Sequence, residues 1–251
     1  MIDLRDVSFA LENKIILNKI SLQINEGITS VILGPSGAGK SSILKIILGL
    51  WKPDSGEVII DGHKTGKLSE NEMLPIRQKM GMVFQGNALF DSLTVEENIA
   101  YFISQKKHLD EIEIRERVEK VLSFVNLSGT EKLYPEELSG GMKKRVAIAR
   151  ALSFWPQIVL FDEPTTGLDP INSKTILELI NKLKEIKTTS VVVTHILNDA
   201  LFIGDKLTVI NDGSIVETGT IKDILNSTDK FVNNFFYEVY KDVDLINKHI
   251  Q

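Results

Sequence analysis

The sequence has 251 residues, 43% of them hydrophobic and 25% charged, which is typical of a globular protein with a sizeable core. Its 29 Lys and Arg against 34 Asp and Glu give a formal charge of −5, and this balance argues against a primary role in binding nucleic acid. Because there is no cysteine, disulfides and thiolate chemistry are excluded.

Neither a secretory signal nor a membrane span is predicted. The first residues lack a cationic segment followed by an apolar one. The longest apolar stretches, such as 43–51 and 190–194, are far shorter than the ~20 residues that a span needs. We therefore expect a soluble protein that reaches a membrane only through a partner.

The N-terminal part is predicted to be rich in β-structure. In the first 33 residues, apolar and β-branched side chains alternate or cluster as they do in strands. The next stretch, VILGPSGAGKSSILKIILGL, has the pattern of a strand, a Gly-rich loop and a helix. A further short strand over 56–62 ends in an Asp-Gly turn.

The middle of the chain, roughly 65–150, is predicted to be mostly helical. Thr94 and Glu97 have the spacing of a capping box, which starts a helix. A second helix is predicted to begin at Asp110, because apolar residues follow it at helical spacing.

Strands and helices alternate again from residue 157, and Asn211-Asp212-Gly213 predicts the turn of a β-hairpin. This alternation around a strand–loop–helix unit predicts an α/β fold with a mainly parallel core sheet. We expect an antiparallel β layer at its N-terminus and a helical insertion at about 90–155. The domain is predicted to cover 1–225 and to be followed by an appendage at 226–251.

A phosphate-binding loop is predicted at 34–41, where GPSGAGKS fits G-x-x-x-x-G-K-[ST] at every fixed position. Glycines let backbone N–H groups approach phosphate oxygens, and the following helix adds its N-terminal partial positive charge. Lys40 is predicted to reach the β- and γ-phosphates, and the Ser41 hydroxyl to ligate Mg²⁺. The predicted nucleotide-binding residues of this loop are Gly34, Pro35, Ser36, Gly37, Ala38, Gly39, Lys40, Ser41 and Ser42.

A pair of acids ends the apolar run IVLFDE at 158–163. A buried strand that stops in carboxylates beside a phosphate loop would place negative charge where a metal ion needs it. Asp162 is predicted to orient the Mg²⁺ shell, and Glu163 to act as general base on the attacking water.

With these two motifs the chain resembles the nucleotide-binding subunits of ATP-binding-cassette (ABC) transporters, over about 1–225. The most specific marker is LSGGM at 138–142, in which Ser139 is placed as an N-cap and Gly140 and Gly141 open a helix. The resemblance implies a P-loop ATPase fold and ATP and Mg²⁺ as ligands. It also implies a head-to-tail homodimer in which this signature contacts the ATP of the other subunit.

Four further positions match the motifs of this family or lie near them. The resemblance implies that Gln85 senses Mg²⁺ and the attacking water, that Asp169 belongs to a loop crossing the dimer interface, and that His195 contacts the γ-phosphate. Leu11 lies near the position where the family often stacks an aromatic ring on adenine, and it offers an apolar face without π-stacking. The predicted catalytic residues are Glu163, His195, Gln85 and Lys40, and the predicted metal ligands are Ser41, Gln85 and Asp162.

Two features narrow the resemblance. The signature usually ends in Gln, whereas Met142 stands here, and the segment 85–98 (QGNALFDSLTVEEN) together with LSGGM is similar to the ATPase of the Mla-type phospholipid transport system. This implies a partner permease, an MCE-type substrate-binding protein and a place on the cytoplasmic face of the inner membrane. Whether a small regulatory subunit also binds stays open. Ile196, where the family often has Asp, removes no group needed for phosphoryl transfer.

Other functions share these motifs. An importer ATPase for amino acids or another small solute would differ only in the 85–98 segment and Met142. An ATPase acting on DNA or ribosomes is disfavoured, since the chain has one cassette, no long coiled-coil insertion and an acidic balance. For the appendage, with aromatic residues at Phe231, Phe235, Phe236, Tyr237 and Tyr240, two interpretations stay open: it packs across the partner ATPase, or it covers its own domain.

Overall fold

The computed structural model describes residues 2–105 and 109–237. Besides two short 3-10 helices (Ile103–Gln105 and Pro135–Glu137) and a helical segment at 230–237, this part of the chain has ten strands and, up to residue 225, eight α-helices. In chain order they are β1 (Ile2–Leu11), β2 (Lys14–Ile24), β3 (Thr29–Leu33), α1 (Lys40–Ile47), β4 (Ser55–Ile60), β5 (His63–Lys64), α2 (Glu70–Arg77), β6 (Met80–Val83), α3 (Val95–Ala100), α4 (Glu111–Phe124), α5 (Gly140–Leu152), β7 (Ile158–Asp162), α6 (Pro170–Glu185), β8 (Thr189–Thr194), α7 (Leu197–Ile203), β9 (Lys206–Asn211), β10 (Ser214–Gly219) and α8 (Ile221–Leu225).

The chain divides into two compact units, Met1–Ser69 with Val191–Gln251, and Glu70–Ser190. In the first unit an antiparallel sheet has the strand order β2-β1-β4-β5. A second set of strands contains β3, which pairs in parallel with β9, while β9 pairs with β10 in an antiparallel hairpin. The predicted β-rich N-terminus and the hairpin at 211–213 are therefore confirmed.

Alternation of side chains explains the core of this first unit. Along β1 and β2 the side chain at every second or third position is apolar and buried, and burying each contributes roughly 1.5–3 kcal/mol. The inward side chains that are at most 1% exposed are those of Ile2, Leu4, Val7, Leu17, Ile20 and Ile24.

In the second unit, β6 and β7 form a parallel pair. Helix α5 is buried on nearly all sides and packs against β6, α3, α4 and α6. The predicted helix starts are confirmed: Thr94 and Glu97 form a capping box, and so do Asp110 and Glu113. The expectation of a mostly helical middle overlooked the strand β6, which lies between two helices.

The structure describes only part of the predicted appendage. Residues 230–237 are helical, the side chains of Val232 and Phe236 are completely buried, and the rings of Phe231 and Phe235 stack with centroids 5.7 Å apart. Tyr240 and the rest of 238–251 lie outside the described residues, and the domain boundary at 225 stays a prediction. None of the helices in the described ranges is long and apolar enough to cross a membrane.

Candidate active site

The predicted phosphate loop follows the fully buried strand β3 and leads into α1, as the sequence pattern required. Gly39 precedes the helix in a left-handed conformation (φ 99°), and as glycine it has no side chain to cap the first N–H groups. A Cβ built on Gly37 would have no atom within 4 Å, so this side of the loop is open. Uncapped N–H groups beside open space are the arrangement that binds phosphate.

The Lys40 side chain is only 6% exposed and lies along the loop. Its Nζ donates hydrogen bonds to the backbone oxygens of Gly34 (2.9 Å) and Pro35 (3.0 Å). The ammonium group is thus held within the loop where it can meet a bound phosphate. Ser41 lies half-buried in the first turn of α1.

Two of the three glycines of this loop, Gly37 and Gly39, are expected to respond differently to alanine. Both have positive φ, so alanine at either costs about 1–2 kcal/mol. At Gly39 the added Cβ would also lie 2.7 Å from Leu17 Cδ2 and 2.8 Å from the Ile16 oxygen, an overlap worth about 1–3 kcal/mol more. Thermal unfolding should therefore show a larger loss of stability for Gly39→Ala than for the matched Gly37→Ala. Equal losses would contradict this reading of the loop.

Two more predicted residues lie in the first unit. His195 directly follows β8 and is exposed. A hydrogen bond from the N–H of Ile196 to Thr194 Oγ1 (3.0 Å) fixes the backbone around it. Leu11, the last residue of β1, is 48% exposed and offers the expected apolar surface, while Phe9 stacks on Trp51 instead (centroids 4.9 Å apart).

The acidic strand end lies in the second unit. Asp162 is the last residue of β7 and is half-buried, and Glu163 is 8% exposed. Glu163 Oε2 accepts a hydrogen bond from Thr166 Oγ1 (3.0 Å), and its backbone has a left-handed φ of 48°. A non-glycine residue in this conformation costs of order 1–3 kcal/mol, and such strain clusters at functional sites.

The signature and the Asp169 loop are neighbours in the second unit. Ser139 is the N-cap of α5, as predicted, and its Oγ accepts a hydrogen bond from the N–H of Met142 (3.3 Å). Gly141 allows close packing, because a Cβ there would lie 2.1 Å from Asn172 Oδ1. Asn172 Nδ2 in turn donates to Asp169 Oδ2 (2.5 Å).

Asp169 itself is the N-cap of α6 and accepts hydrogen bonds from the N–H groups of Ile171 and Asn172 (both 3.0 Å). The backbone and side-chain hydrogen bonds from Asn172 hold the pKa of Asp169 below its usual value. The carboxylate therefore orders the loop that begins α6, a role that the family motif alone did not reveal.

Gln85 lies exposed after β6, and its backbone is held by a residue that the sequence analysis missed. Lys144 on α5 is 2% exposed, and its Nζ donates to the backbone oxygens of Phe84 (3.1 Å) and Gln85 (2.9 Å). Burial lowers the pKa of Lys144 to about 8, although the charge of Asp162 acts in the opposite direction. Nothing in the run KKR distinguishes this buried lysine from the half-buried Lys143 beside it.

The segment after Gln85 is fixed by a second buried side chain. Asn98 is completely buried, and its Nδ2 donates to three backbone oxygens, those of Phe90 (3.0 Å), Leu93 (2.9 Å) and Thr94 (3.0 Å). Its Oδ1 accepts from the N–H of Phe90 (2.8 Å). Asn98, the last residue of the 85–98 segment, therefore holds the backbone of that segment in place.

Comparison with known proteins assigns the family. The sequence profile described as "ABC transporter" matches residues 17–166, more than half of the chain, including the phosphate loop, Gln85, the signature and the acidic strand end. The chain belongs to the ABC transporter family.

Individual relatives agree with this assignment. The chain is 39% identical over 236 residues to the intermembrane phospholipid transport system ATP-binding protein MlaF of Haemophilus influenzae, covering 94% of this chain and 89% of that protein. It is 42% identical over 246 residues to the methionine import ATP-binding protein MetN 1 of Bacillus cereus, covering 94% and 71%. A dimeric ATP-binding cassette solved in a post-hydrolysis state with ADP and Pi is 38% identical, with a TM-score of 0.80, and covers 89% of this chain and 100% of that chain.

These findings confirm the predicted P-loop ABC ATPase fold and the predicted activity, ATP hydrolysis. The protein is an ATP-binding subunit of an ABC transporter, and this membership supports a second copy and a permease as partners. The lipid-transport and methionine-import relatives have similar identities, so the transported substance is not decided by identity.

Proposed function

We propose that this ATPase energises the transport of phospholipid between envelope membranes, through a permease that works with an MCE-type substrate-binding protein. The observation that carries the proposal is the signature LSGGM, whose Met142 replaces the usual Gln, together with the 85–98 segment. The identity to the MlaF protein supports it. In this proposal the subunit lies on the cytoplasmic face of the inner membrane, bound to the permease.

A cavity in the second unit supports a permease contact beside this segment. It has a volume of about 550 Å³ and mostly apolar walls. Phe84 and Phe102 line it and are 38% and 48% exposed, so the cavity presents apolar ring surface for a partner to cover. We infer that a short helix of the permease docks in this cavity.

The chemistry that we propose assigns one role to each residue. Backbone N–H groups of the phosphate loop and Lys40 bind the phosphates of ATP, and the Ser139–Gly141 signature of a second subunit contacts the same nucleotide. Glu163 orients a water molecule and accepts its proton, so that the water oxygen bonds to the γ-phosphorus while the bond to the leaving ADP oxygen breaks. His195 and Lys40 stabilise the charge on the phosphoryl oxygens.

The predicted metal ligands fit Mg²⁺ by their chemistry. The Ser41 hydroxyl, the Gln85 amide oxygen and the Asp162 carboxylate are hard oxygen donors, which Mg²⁺ prefers. When bound, the ion would neutralise negative charge on the phosphates. Of these three residues, Gln85 has its backbone oxygen bound by Lys144 Nζ, and the charge of Asp162 acts on the same lysine.

A second candidate function is import of methionine or a related small solute. The observation that favours it is the 42% identity to MetN 1 of Bacillus cereus. Both candidates need the same ATPase chemistry, so the transported substance distinguishes them.

Isolation of the native complex tests the choice between these functions. The tagged chain, extracted with its membrane complex in mild detergent, is expected to bring down a multispan permease, an MCE-type protein and enriched phospholipid, all identified by mass spectrometry. A periplasmic solute-binding protein without lipid enrichment would replace the lipid proposal by the solute importer. Nucleic acid or ribosomal proteins without a permease would contradict a transport role.

A matched pair of variants tests the docking cavity in the same experiment. Phe102→Asp places a charge on the cavity wall and should reduce permease recovery at least about tenfold. Ile112→Asp, on α4 and 68% exposed, changes an apolar side chain that is not among the cavity's lining residues and should leave recovery unchanged. Equal recovery with both variants would place the permease contact elsewhere.

A further inference from the structure

Four backbone oxygens of the segment after β6 accept hydrogen bonds from two buried cations of α5. Lys144 Nζ donates to the oxygens of Phe84 and Gln85, as described above. Further along the same segment, the Ala88 oxygen accepts from Arg150 Nη1 (2.6 Å) and the Asn87 oxygen accepts from Arg150 Nη2 (3.0 Å). Residues 84–88, called here the 84–88 turn, are therefore attached to one helix almost continuously.

The 84–88 turn is strained, so it needs these attachments. Asn87 and Ala88 both have left-handed backbones, with φ of 63° and 54°. Asparagine tolerates this conformation, but alanine does not favour it. A residue in such a conformation persists only when its surroundings hold it there. The two Nη atoms of Arg150 donate hydrogen bonds to the backbone oxygens of these same two residues.

Burying two cationic side chains at this contact is unfavourable in free energy. The side chains of Lys144 and Arg150 are 2% and 9% exposed, and burial lowers the pKa of both. Apolar residues of similar size often give equal or greater stability in such places. What the two cations add is direction, because each fixes particular backbone oxygens at hydrogen-bond distance.

We propose that Lys144 and Arg150 are positioning residues that fix the 84–88 turn to α5, so that Gln85 moves as one body with the signature at the start of that helix. Phe84 and Arg150 also line the cavity to which we assign the permease, so a displacement there is passed directly to α5. This inference rests on the roles proposed above for Gln85 and the signature.

The test compares Arg150→Lys with a matched change on the same helix. Arg145 Nη1 donates to the oxygens of Val125 (3.3 Å) and Asn126 (2.9 Å), and Asn126 is also left-handed (φ 55°). Arg145→Lys therefore removes a guanidinium group that also binds two consecutive backbone oxygens, but in a different loop and through one nitrogen. Both variants are made in the full chain and measured by amide hydrogen exchange and by steady-state ATP hydrolysis.

With Arg150→Lys we expect amides in a peptide covering 84–91 to exchange at least about tenfold faster, since charged hydrogen bonds are lost. We expect kcat to fall about tenfold while KM for ATP stays within twofold, because the phosphate loop is unchanged. With Arg145→Lys, the amide exchange rate of this peptide and kcat should each stay within twofold of the values for the unchanged chain. An equal effect of Arg145→Lys would reduce the role of Arg150 to general stability and overturn the proposal.

A rescue separates positioning from simple packing. Ala88→Gly makes the left-handed turn intrinsically favourable, so in the Arg150→Lys background it should restore at least half of the lost kcat. Should Arg150→Lys fail to fold, Lys144→Met is expected to give the same exchange and kcat changes. Unchanged exchange, faster exchange with normal kcat, or absence of rescue would each overturn the proposal. Because these measurements use the purified chain without lipid or permease, failure of the lipid-transport proposal would be seen separately.

Discussion

Glu163→Gln is expected to slow ATP hydrolysis by at least ~100-fold while leaving ATP binding almost unchanged. The carboxamide can still accept the hydrogen bond that Thr166 Oγ1 donates to Glu163 Oε2, so the loop keeps its shape. It cannot accept the proton of the attacking water, which is the proposed role of Glu163. Phosphate release under steady-state conditions and binding of a fluorescent ATP analogue measure the two effects.

The control for this prediction is a carboxylate in the same unit. Glu178 on α6 is exposed, and its Oε1 lies 4.0 Å from Lys174 Nζ. Glu178→Gln should therefore leave both turnover and ATP binding unchanged. Near-normal turnover in Glu163→Gln would remove this residue from the role of base. Loss of ATP binding would instead show that the charge of Glu163 contributes to holding the nucleotide.

Features governed by short stretches of sequence could be predicted. The phosphate loop, the caps at Thr94, Asp110 and Ser139, and the hairpin turn before β10 all follow from local backbone rules, and the structure has each of them. In the hairpin, Asp212 and Gly213 both have positive φ (45° and 73°), as the turn type demands. Local chemistry is sufficient for such features because the interacting groups are within a few residues of one another.

Features that depend on distant partners could not be predicted. Strand β6 has only four residues and one of them is Gly81, so its sequence gives little strand signal. It forms because β7, almost eighty residues later in the chain, pairs with it. Position 81 has room only for glycine, because a Cβ there would lie 2.6 Å from the Ala151 oxygen. The family resemblance located Gln85, but not the helix that holds it.

The same limitation explains the buried cations of α5. In a helix surrounded on nearly all sides, periodicity does not indicate which of Lys143, Lys144 and Arg145 is buried. The answer depends on where carbonyl oxygens of other segments lie, and those positions exist only in the folded chain. Sequence alone therefore predicts which chemical groups form the site, but not the distant hydrogen bonds that hold their segments in place.

Asn98→Ala is expected to lower the free energy of unfolding by about 3 kcal/mol, because three backbone oxygens and one N–H would lose their buried partner. For a chain of this size that corresponds to a melting temperature lower by roughly 6–12 °C. Thermal unfolding followed by circular dichroism measures it. Thr94→Ala, which removes the half-buried N-cap side chain of the same helix, is the control and should cost only about 1 kcal/mol.

Asn98→Asp keeps the size of the side chain and should be more harmful than Asn98→Ala at neutral pH. One carboxylate oxygen can accept from the N–H of Phe90, but the other would face the oxygens of Phe90, Leu93 and Thr94, where Asn98 places its donor. The folded protein would therefore hold the introduced carboxyl protonated, with a pKa above the unfolded value of about 4. The unfolded chain releases the proton first as pH rises, so stability should fall from pH 4 towards neutrality, relative to Asn98→Ala. If the difference in unfolding free energy between the two variants stays constant across this range, backbone carbonyl oxygens do not surround residue 98. The 85–98 segment would then be held in another way.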